Sequence, residues 1–366
     1  MTPKRPRPAD IRAVAHRAGV SIATVSRVIN KVSTVDPKLA ERVKRAVLEL
    51  RYTPNTQARG LVSGRSRMIG LIVSEITNPF FPELIQNFED SAVRRGYEIL
   101  IGSTNYSTER MTQCVRRMLE RKVEGVAVMT FGMDEDLLQE LSQLGIPVVS
   151  VGATQNLDLA TSLVVDYGQG IEEAVQHLAV LGHRKIWFIA GPLKVRSAKL
   201  RERAFVAAME RIGVKVSADS IVEGDHTMEG GFAAAEQLFQ RAEIPTAIVC
   251  SNDMTAIGVL HAVSDRGMRV PENISIIGFD DIHMAQFTVP PLTSIRMAVS
   301  DLATAALDAL LSTMNGYTNK SVKDPSRIPT RLIVRQTSGY PRSEDGESLS
   351  QVLARRDPQK RAAHST

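Results

Sequence analysis

The chain has 366 residues, of which 43% are hydrophobic and 23% charged, and its formal net charge is +5. This length predicts two or three domains with a sizeable core, and the lack of any run of about eighteen apolar residues excludes a transmembrane helix. The basic, proline-rich start is not followed by an apolar stretch, so no secretory signal is expected. The two cysteines, Cys114 and Cys250, exclude a disulfide framework and a cysteine zinc site and favour the reducing cytoplasm.

The charge is concentrated at one end of the chain. Residues 1–67 carry 15 basic and 4 acidic side chains, a net charge of +11, whereas the remainder carries 30 basic and 36 acidic, a net charge of −6. A small basic segment joined to a larger acidic one indicates a nucleic-acid-binding head. A disordered basic arm is the alternative, but the regular pattern of the segment argues against it.

The first fifty residues have the pattern of three short helices. Asp10 and Ser21 can cap the first two helices, because their side-chain oxygens can accept from the free N–H groups of an opening turn. Gly19 ends the first helix, and Asp36 followed by Pro37 is a strong start signal for the third. Two short helices joined by a glycine-containing turn, with basic flanks, predict a helix-turn-helix.

From Met68 the chain alternates between apolar runs and amphipathic stretches. The runs expected to be buried parallel strands are Ile69–Val73, Ile99–Gly102, Gly125–Met129, Val148–Val151, Ile186–Ala190, Ala247–Cys250 and Ile274–Phe279. The stretches with helical periodicity are Phe81–Arg95, Arg110–Arg121, Ile171–Leu181, Leu200–Ile212, Gly230–Arg241 and Thr255–Arg266. This alternation predicts an α/β fold built on a doubly wound parallel sheet, and about 270 residues are enough for two such lobes.

Short motifs spread over nearly the whole chain, as far as about Pro341, are typical of one family. They are Val14-Ala15, Ala18–Ser21 and Thr24–Asn30 in the head; Tyr52, Pro54-Asn55, Ala58-Arg59 and Leu61 after it; and Ile69–Leu71, Asn78–Phe81, Leu181–His183, Gly191-Pro192, Ser251–Asp253, Gly278–Asp281 and Pro290–Thr293 in the remainder. In these residues the chain resembles the LacI/GalR family of bacterial transcription regulators. The motifs are specific for the family and do not single out one member.

The resemblance implies a helix-turn-helix head, a hinge helix and a two-lobed core like that of a periplasmic sugar-binding protein, in a protein that is usually a homodimer. The implied segments are a head over 1–53, a hinge helix and linker over 54–67, and a core over 68–340, with a first lobe of about 68–166 and 297–326 and a second of about 167–296 and 327–340. The polar tail over 341–366 is expected to be disordered. Its leucines, Leu349 and Leu353, are too few for a tetramer-forming heptad helix.

By the same resemblance, the helix that follows Ser21 is expected to lie in the major groove of double-stranded operator DNA. Arg27 resembles the family's base-contacting arginine and could bond N7 and O6 of guanine. Ile22 and Ala23 stand where members differ in operator choice, and their apolar side chains can meet thymine methyl groups. The short polar residues suited to phosphate or base edges, unless they merely fill the helix surface, are Thr24, Ser26 and Asn30.

Residues 54–67 combine a stretch of helical potential with a polar basic linker. Leu61 resembles the leucine that family members wedge into the minor groove, and Arg59 can neutralise a phosphate nearby. Gly60 costs this short helix up to about 1 kcal/mol relative to alanine, so the hinge is expected to fold only when two copies meet on DNA. The hinge positions expected at the DNA are Asn55, Ala58, Arg59 and Leu61.

A ligand site is expected at the carboxyl ends of the parallel strands, where open sheets bind their ligands. Phe80 and Phe81 follow the first strand as an aromatic cluster that could face a sugar, although either could instead be core. Asn252 and Asp280 follow later strands, where they could cap turns or, as in the family, contact a ligand. The further candidates that the resemblance adds are Asp166, Ser197, Arg201 and His226.

The expected function is that of a transcriptional repressor, dimeric on a palindromic operator and controlled by a small carbohydrate-like effector between its lobes. The alternatives are a purine or nucleoside corepressor, which Val195 disfavours because purine-controlled members tend to have arginine there, and a phosphoprotein partner. The basic residues that would suit a sugar acid or phosphosugar are Lys194, Arg196 and Lys199. Glycine-rich phosphate-binding motifs, nucleophile motifs and zinc-ligand spacings are absent from the sequence, so no enzyme activity, cofactor or metal is expected.

Overall fold

A computed structural model describes residues 9–30, 34–53, 65–131, 141, 143–152, 160–241, 243–316 and 327–341. The chain forms two compact units, a head unit over residues 1–66 and a core unit over residues 67–366. Most of the predicted hinge, residues 54–64, and the tail from residue 342 lie outside the described residues. No helix in the described ranges is long and apolar enough to cross a membrane.

The head unit contains the three predicted helices, which are α1 (Ile11–Ala18), α2 (Ile22–Ile29) and α3 (Pro37–Glu49). Asp10 Oδ1 accepts from Ala13 N at 2.8 Å, and Ser21 Oγ accepts from Thr24 N at 3.1 Å, so both predicted caps are confirmed. Gly19 ends α1 with a φ of 63°, the left-handed conformation that favours glycine. The small core that joins the three helices is Val14, Ala15, Ala18, Val25, Val43 and Ala46.

The core unit alternates strands and helices along the chain. In order they are β1 (Met68–Val73), α4 (Phe80–Arg94), β2 (Glu98–Ser103), α5 (Thr108–Glu120), β3 (Gly125–Met129), β4 (Val148–Val151), β5 (Ala160–Val165), α6 (Tyr167–Val180), β6 (Ile186–Ala190), α7 (Arg196–Arg211), β7 (Ile221–Glu223), α8 (Met228–Phe239), β8 (Ala247–Cys250), α9 (Asp253–Asp265), β9 (Ser275–Asp280), β10 (Thr293–Met297), α10 (Val299–Met314), β11 (Arg327–Ile328) and β12 (Thr330–Ile333). The alternation confirms the predicted α/β class.

These strands form two sheets, one in each lobe. The first has the order β11-β5-β4-β3-β1-β2 and the second the order β12-β10-β9-β8-β6-β7. Neighbouring strands run parallel except β10 and β12, which are antiparallel. Central strands such as β3 are buried along their whole length, because helices cover both faces of a parallel sheet. The carboxyl ends of the central strands of both sheets are where a site is expected.

Every strand and helix predicted for the core is present, but several helices begin earlier than predicted. Helices α6, α8 and α9 start with a polar first turn whose free N–H groups are met by Asp166, Thr227 and Asn252. Hydrophobic periodicity does not register such a turn. The strand β11 pairs with β5 in the first sheet, so the last crossing between the lobes falls after Ile328 rather than before residue 327.

Candidate functional site

A cavity lies between the two lobes, at the carboxyl ends of the central strands. Its empty volume is about 380 Å³, part of which is open to solvent. The ligand candidates that line it are Phe80, Phe81, Ser197, Arg201, His226, Asn252 and Asp280. The structure therefore brings together side chains from both lobes that lie far apart in sequence.

Asp166 has a different place. It follows β5, next to the edge of the first sheet, and its Oδ1 accepts from Gln169 N at 3.2 Å as α6 begins. Its Oδ2 lies 3.8 Å from Nη1 of Arg327. Its carboxylate caps a helix, and the residue is not among those that line the cavity.

Several lining residues were not named as ligand candidates from the sequence. They are Ser74, Asn78, Tyr106, Thr130, Phe131, Val195 and Met297. Ser74 follows β1, Tyr106 follows β2 and Thr130 follows β3. The rule that ligands bind beyond the carboxyl ends of parallel strands, applied to these strands as it was to Asn252 and Asp280, would have found them.

Arg201 is the central polar group of the cavity. Its Nη1 donates to the backbone oxygen of Ser251, and its Nη2 donates to Asp280 Oδ1 at 3.2 Å. The Arg201 and Asp280 side chains are only 7% and 6% exposed. The guanidinium also lies 4.0 Å from the ring centroid of Phe279 and 5.1 Å from that of Tyr167, an arrangement that favours a cation. This buried pair is fixed before any ligand arrives.

A strained turn presents Asp280 to the cavity. Asp280 and Asp281 have φ values of 105° and 55°, which L residues rarely adopt. Asp281 is held by ion pairs of 2.6 Å with Arg296 and 2.6 Å with Arg335. Burial raises the pKa of Asp280 to about 6, although the neighbouring Arg201 acts in the opposite direction. Strain of this kind persists only where surrounding bonds over-determine it, as at ligand sites.

Three phenylalanines form an aromatic wall on the first lobe. The ring centroids of Phe80 and Phe81 are 5.2 Å apart, and those of Phe80 and Phe131 are 5.7 Å apart, all in edge-to-face contact. Asn78 Oδ1 accepts from Phe80 N at 3.0 Å and so fixes the start of α4. Phe80 and Phe81 are core and cavity wall at once, so the two interpretations of these residues were not exclusive.

His226 closes the second-lobe side of the cavity. Its Nε2 is 2.9 Å from Ser251 Oγ, and its backbone oxygen accepts from Asn252 Nδ2 at 3.0 Å. The ring lies against Gly191, where a Cβ would come within 1.8 Å of Nε2, so no larger residue fits there without moving the ring. Burial, with a smaller contribution from Arg201, lowers the pKa of His226 to about 3. The imidazole is therefore neutral and offers a ligand a hydrogen bond without charge.

The contribution of His226 to folding stability is expected to become unfavourable as the pH drops from about 6.5, and His226→Asn should remove it. The unfolded state binds a proton at this residue near pH 6.5, whereas the folded state does not do so until about pH 3, so His226 lowers stability by about 1.4 kcal/mol per pH unit in that window. Between pH 6.5 and 5 the wild type should lose about 1.5 kcal/mol more than the variant in urea unfolding. Asparagine tolerates the φ of 68° at this position. Parallel stability curves for the two proteins would contradict the prediction.

Two hydrogen bonds join the lobes beside the cavity. Ser197 N donates to the backbone oxygen of Phe131 at 3.2 Å. His283 N donates to Glu83 Oε1 at 2.9 Å. Glu83 lies on α4, directly after the aromatic wall. A change in lobe angle would have to alter both bonds, and Phe131 and Ser197, which make one of them, also line the cavity.

The head unit presents a separate polar surface along α2. Ile22 is 45% exposed, and Arg27 is exposed with no ion pair among the described residues of the head. Ser21 Oγ and Thr24 Oγ1 are 3.0 Å apart, and Asn30 Nδ2 donates to Ser26 Oγ at 3.4 Å. Ala23 is exposed as well. The predicted hinge contacts, Asn55, Ala58, Arg59 and Leu61, lie outside the described residues.

Comparisons with known proteins assign both units. The model of the lacI family of bacterial regulatory proteins matches residues 10–55, and that of the periplasmic binding protein-like domain matches residues 175–338. Catabolite control protein A of Priestia megaterium is 34% identical over 329 residues, which are 89% of this chain and 98% of the relative. The chain belongs to the LacI family of bacterial regulatory proteins.

Other members of the LacI family agree with this assignment. The HTH-type transcriptional repressor PurR of Haemophilus influenzae (strain PittEE) is 34% identical over 90% of this chain and 98% of its own length. The lac repressor dimer bound to operator and the anti-inducer ONPF matches with a TM-score of 0.81 at 29% identity, over 91% of this chain and 100% of that one. The complex of the regulator CelR with cellobiose matches with a TM-score of 0.68 at 28% identity, over the same shares. This LacI-family chain is thus a DNA-binding transcription regulator with a helix-turn-helix and a two-lobed core.

Proposed function

We propose that this regulator is a dimeric repressor whose affinity for a palindromic operator depends on a small carbohydrate-like molecule bound between the lobes of its core. The main support for this function is the lining of the cavity. A buried Arg201–Asp280 pair, a neutral imidazole and an aromatic wall meet there. Sugar sites combine aromatic faces with a few fixed polar groups in this way. The protein acts by binding alone, in the cytoplasm, where its DNA is.

The proposed mechanism is a shift between two lobe arrangements. A ligand can act only through its different affinity for the two, and a coupling of about 1–3 kcal/mol, or about 5–150-fold, is typical. Phe131 and Ser197, which join the lobes by a hydrogen bond, line the cavity, so a ligand there can favour one lobe angle. That angle sets the spacing of two hinges and two heads, and hence their fit to the two halves of the operator.

A purine corepressor is the first alternative, and the name PurR of one relative supports it. Two observations favour a sugar instead. Val195 lines the cavity with an apolar side chain, where purine-controlled members tend to have arginine. The CelR structure holds the disaccharide cellobiose. A phosphoprotein partner is the second alternative, and the relationship to catabolite control protein A supports it. Such a partner would bind the outer surface of the core and leave the cavity empty.

An exposed apolar patch supports a dimer through the core. Met284, Phe287 and Val289, on the turn between β9 and β10, are 47%, 68% and 94% exposed in the single chain. Several exposed apolar side chains on one short turn are a feature of interaction sites. A second copy of the chain is the partner that a palindromic operator requires.

The test begins with the full-length protein and a random DNA pool. Selection should yield a palindrome, and titration with sugars should change the affinity for that palindrome by about 5–150-fold for at least one of them. A palindrome whose binding ignores every small molecule and responds to a phosphorylated protein would favour the second alternative.

Arg27→Ala is expected to weaken binding to the selected palindrome by about 5–150-fold per head, since a bidentate arginine–guanine contact contributes about 1–3 kcal/mol. Binding to random DNA of equal length should fall much less, because phosphate contacts supply it. Fluorescence anisotropy with both DNAs measures the two effects. The control is Arg17→Ala, an arginine of α1 whose Nη2 lies 2.6 Å from Glu49 Oε2. Equal losses on both DNAs for Arg27→Ala would remove it from base recognition.

A further inference from the structure

Three successive backbone N–H groups at the end of β9 donate to side chains of three different elements, which are β10, α9 and α4. The bonds are Asp281 N to Ser294 Oγ at 3.1 Å, Ile282 N to Asp253 Oδ2 at 2.8 Å and His283 N to Glu83 Oε1 at 2.9 Å. We refer to residues 280–283 as the β9 turn. Side chains, and not a neighbouring strand, hold the backbone of this turn in place.

The β9 turn connects the cavity with the first lobe. Its first residue, Asp280, lines the cavity and accepts from Arg201 Nη2 at 3.2 Å. Its last residue, His283, donates its N–H group to Glu83 of the first lobe. Since the positive φ values at the start of the turn persist only where surrounding bonds impose them, whatever fixes the turn fixes both the Asp280 side chain and a bond between the lobes.

Asp253 makes the largest share of these bonds. It is the first residue of α9 and is fully buried. Its Oδ2 accepts from Ile282 N, and its Oδ1 accepts from Ser294 Oγ at 2.5 Å. Because Ser294 Oγ in turn accepts from Asp281 N, Asp253 holds two of the three N–H groups, one directly and one through Ser294.

The surroundings of Asp253 fit its carboxyl group closely. A Cβ at Gly278, on β9, would come within 2.1 Å of Asp253 Oδ1, so a larger residue there would displace the acid. No lysine or arginine pairs with Asp253 in the part of the chain that the structure describes. Burial, followed by the charge of Asp280, raises the pKa of Asp253. An apolar side chain of similar volume would avoid this desolvation but could not accept from Ile282 or Ser294.

Asp253 is not itself a cavity residue. The residue before it, Asn252, lines the cavity, whereas Asp253 is not among the lining residues. Consecutive residues at the start of α9 therefore serve the cavity and the β9 turn separately. Any effect of Asp253 on a ligand must pass through the turn.

We propose that Asp253 is a positioning residue, which fixes the β9 turn so that Asp280 meets Arg201 at the cavity and His283 N reaches the first lobe. The effect on a ligand rests on the proposed function of the cavity. Because Asp253 acts through Asp280, its carboxyl group should matter to a ligand only while Asp280 is intact. Its effect on the backbone of the turn should be present without any ligand.

The first experiment measures amide hydrogen exchange in the full-length protein without ligand. In Asp253→Ala the amides of the β9 turn should exchange about fivefold faster or more, relative to the matched control, because the bond to Ile282 N is lost. The control is Val259→Ala, a buried residue of the same helix that makes none of these bonds and does not line the cavity. Exchange in β8 reports the general loss of stability in each variant. If the turn and β8 accelerate by the same factor in both variants, Asp253 only stabilises the core and the proposal is overturned.

Two milder variants test whether hydrogen bonding is the cause. In Asp253→Asn the amide oxygen can accept from Ile282 N and the amide nitrogen can donate to Ser294 Oγ, so exchange in the turn should return close to the wild-type rate. Ser294→Ala removes only the bond to Asp281 N and should accelerate exchange there more than at Ile282. An asparagine variant whose turn exchanges as fast as that of the alanine variant would show that these bonds do not hold the turn.

The second experiment measures ligand affinity. D-glucose, D-galactose, D-ribose, maltose and cellobiose are titrated into the wild type by calorimetry, and the sugar that binds most tightly is the probe. Its Kd should rise about tenfold in Asp253→Ala and stay at the wild-type value in Val259→Ala. Asp280→Asn should weaken binding as well, and adding Asp253→Ala to it should change Kd by less than about twofold. Losses that multiply in the double variant would show that Asp253 does not act through Asp280.

The two experiments separate this inference from the proposed function. If none of the sugars binds the wild type, or if binding leaves operator affinity unchanged, the proposed function fails, and exchange in the β9 turn still decides the role of Asp253. If a sugar binds and Asp253→Ala leaves both its Kd and the exchange of the turn at wild-type values, the proposed function stands and the positioning role is overturned.

Discussion

Arg201→Met is expected to abolish the ligand response and to destabilise the core unit by about 3–5 kcal/mol. The substitution leaves the Asp280 carboxylate buried without its cation, and an uncompensated buried charge is among the most costly single changes. It also removes every donor that the guanidinium aims at the cavity, so ligand affinity should fall by more than about a hundredfold. The arrangement depends on the two side chains being only 7% and 6% exposed, so solvent does not screen the pair.

A double variant separates binding from stability in this prediction. In Arg201→Met/Asp280→Leu no charge remains, and replacing a buried ion pair by apolar side chains of similar volume is often neutral or stabilising. It should unfold in urea near the wild-type midpoint, bind the selected palindrome normally and ignore the sugar. Urea unfolding and operator titration with and without sugar provide both readings. A double variant that still responds to the sugar would remove the Arg201–Asp280 pair from ligand binding.

The parts of the fold that could be predicted are those in which one local pattern dominates. Strands such as β3 are buried on both faces and carry continuous apolar runs, which composition alone reveals. Some of the strands that were missed are short, as β7 with three residues and β11 with two. Two others, β5 and β10, lie inside their sheets, but threonine and serine interrupt their apolar residues. Helix α10 was missed because Ala298, at its N-cap position, has no side chain that could cap the helix and mark its start.

Most residues of the site could be predicted from the sequence, but the hydrogen bonds between them could not. Strand ends and family motifs supplied Arg201 and Asp280 as candidates, yet they stand 79 residues apart, and only tertiary packing brings them together. Asp166 obeys the same strand-end rule, but its carboxylate caps α6 and the residue does not line the cavity. The bonds of Asp253 to Ile282 and Ser294 are a property of packing that no sequence pattern carries.

Phe287→Asp is expected to convert the dimer into monomers and to weaken operator binding by about a hundredfold to ten-thousandfold. Two linked heads bind the two half-sites of a palindrome with an avidity gain of that size, and separate heads lose it. The change should leave each chain folded, because Phe287 is 68% exposed and its ring contacts the exposed His283. Light scattering measures the mass, and anisotropy measures binding to the full palindrome and to a single half-site.

The control for this substitution is Val180→Asp, at the end of α6. Val180 is 86% exposed and stands apart from the patch in sequence, so its variant should stay dimeric and bind the palindrome as the wild type does. Phe287→Asp should bind a single half-site as well as the wild type, since the head unit is unchanged. A dimer that survives Phe287→Asp would move the interface to another face of the core. Monomers that bind the full palindrome with undiminished affinity would instead show that DNA itself assembles the pair, with the hinges supplying the contact.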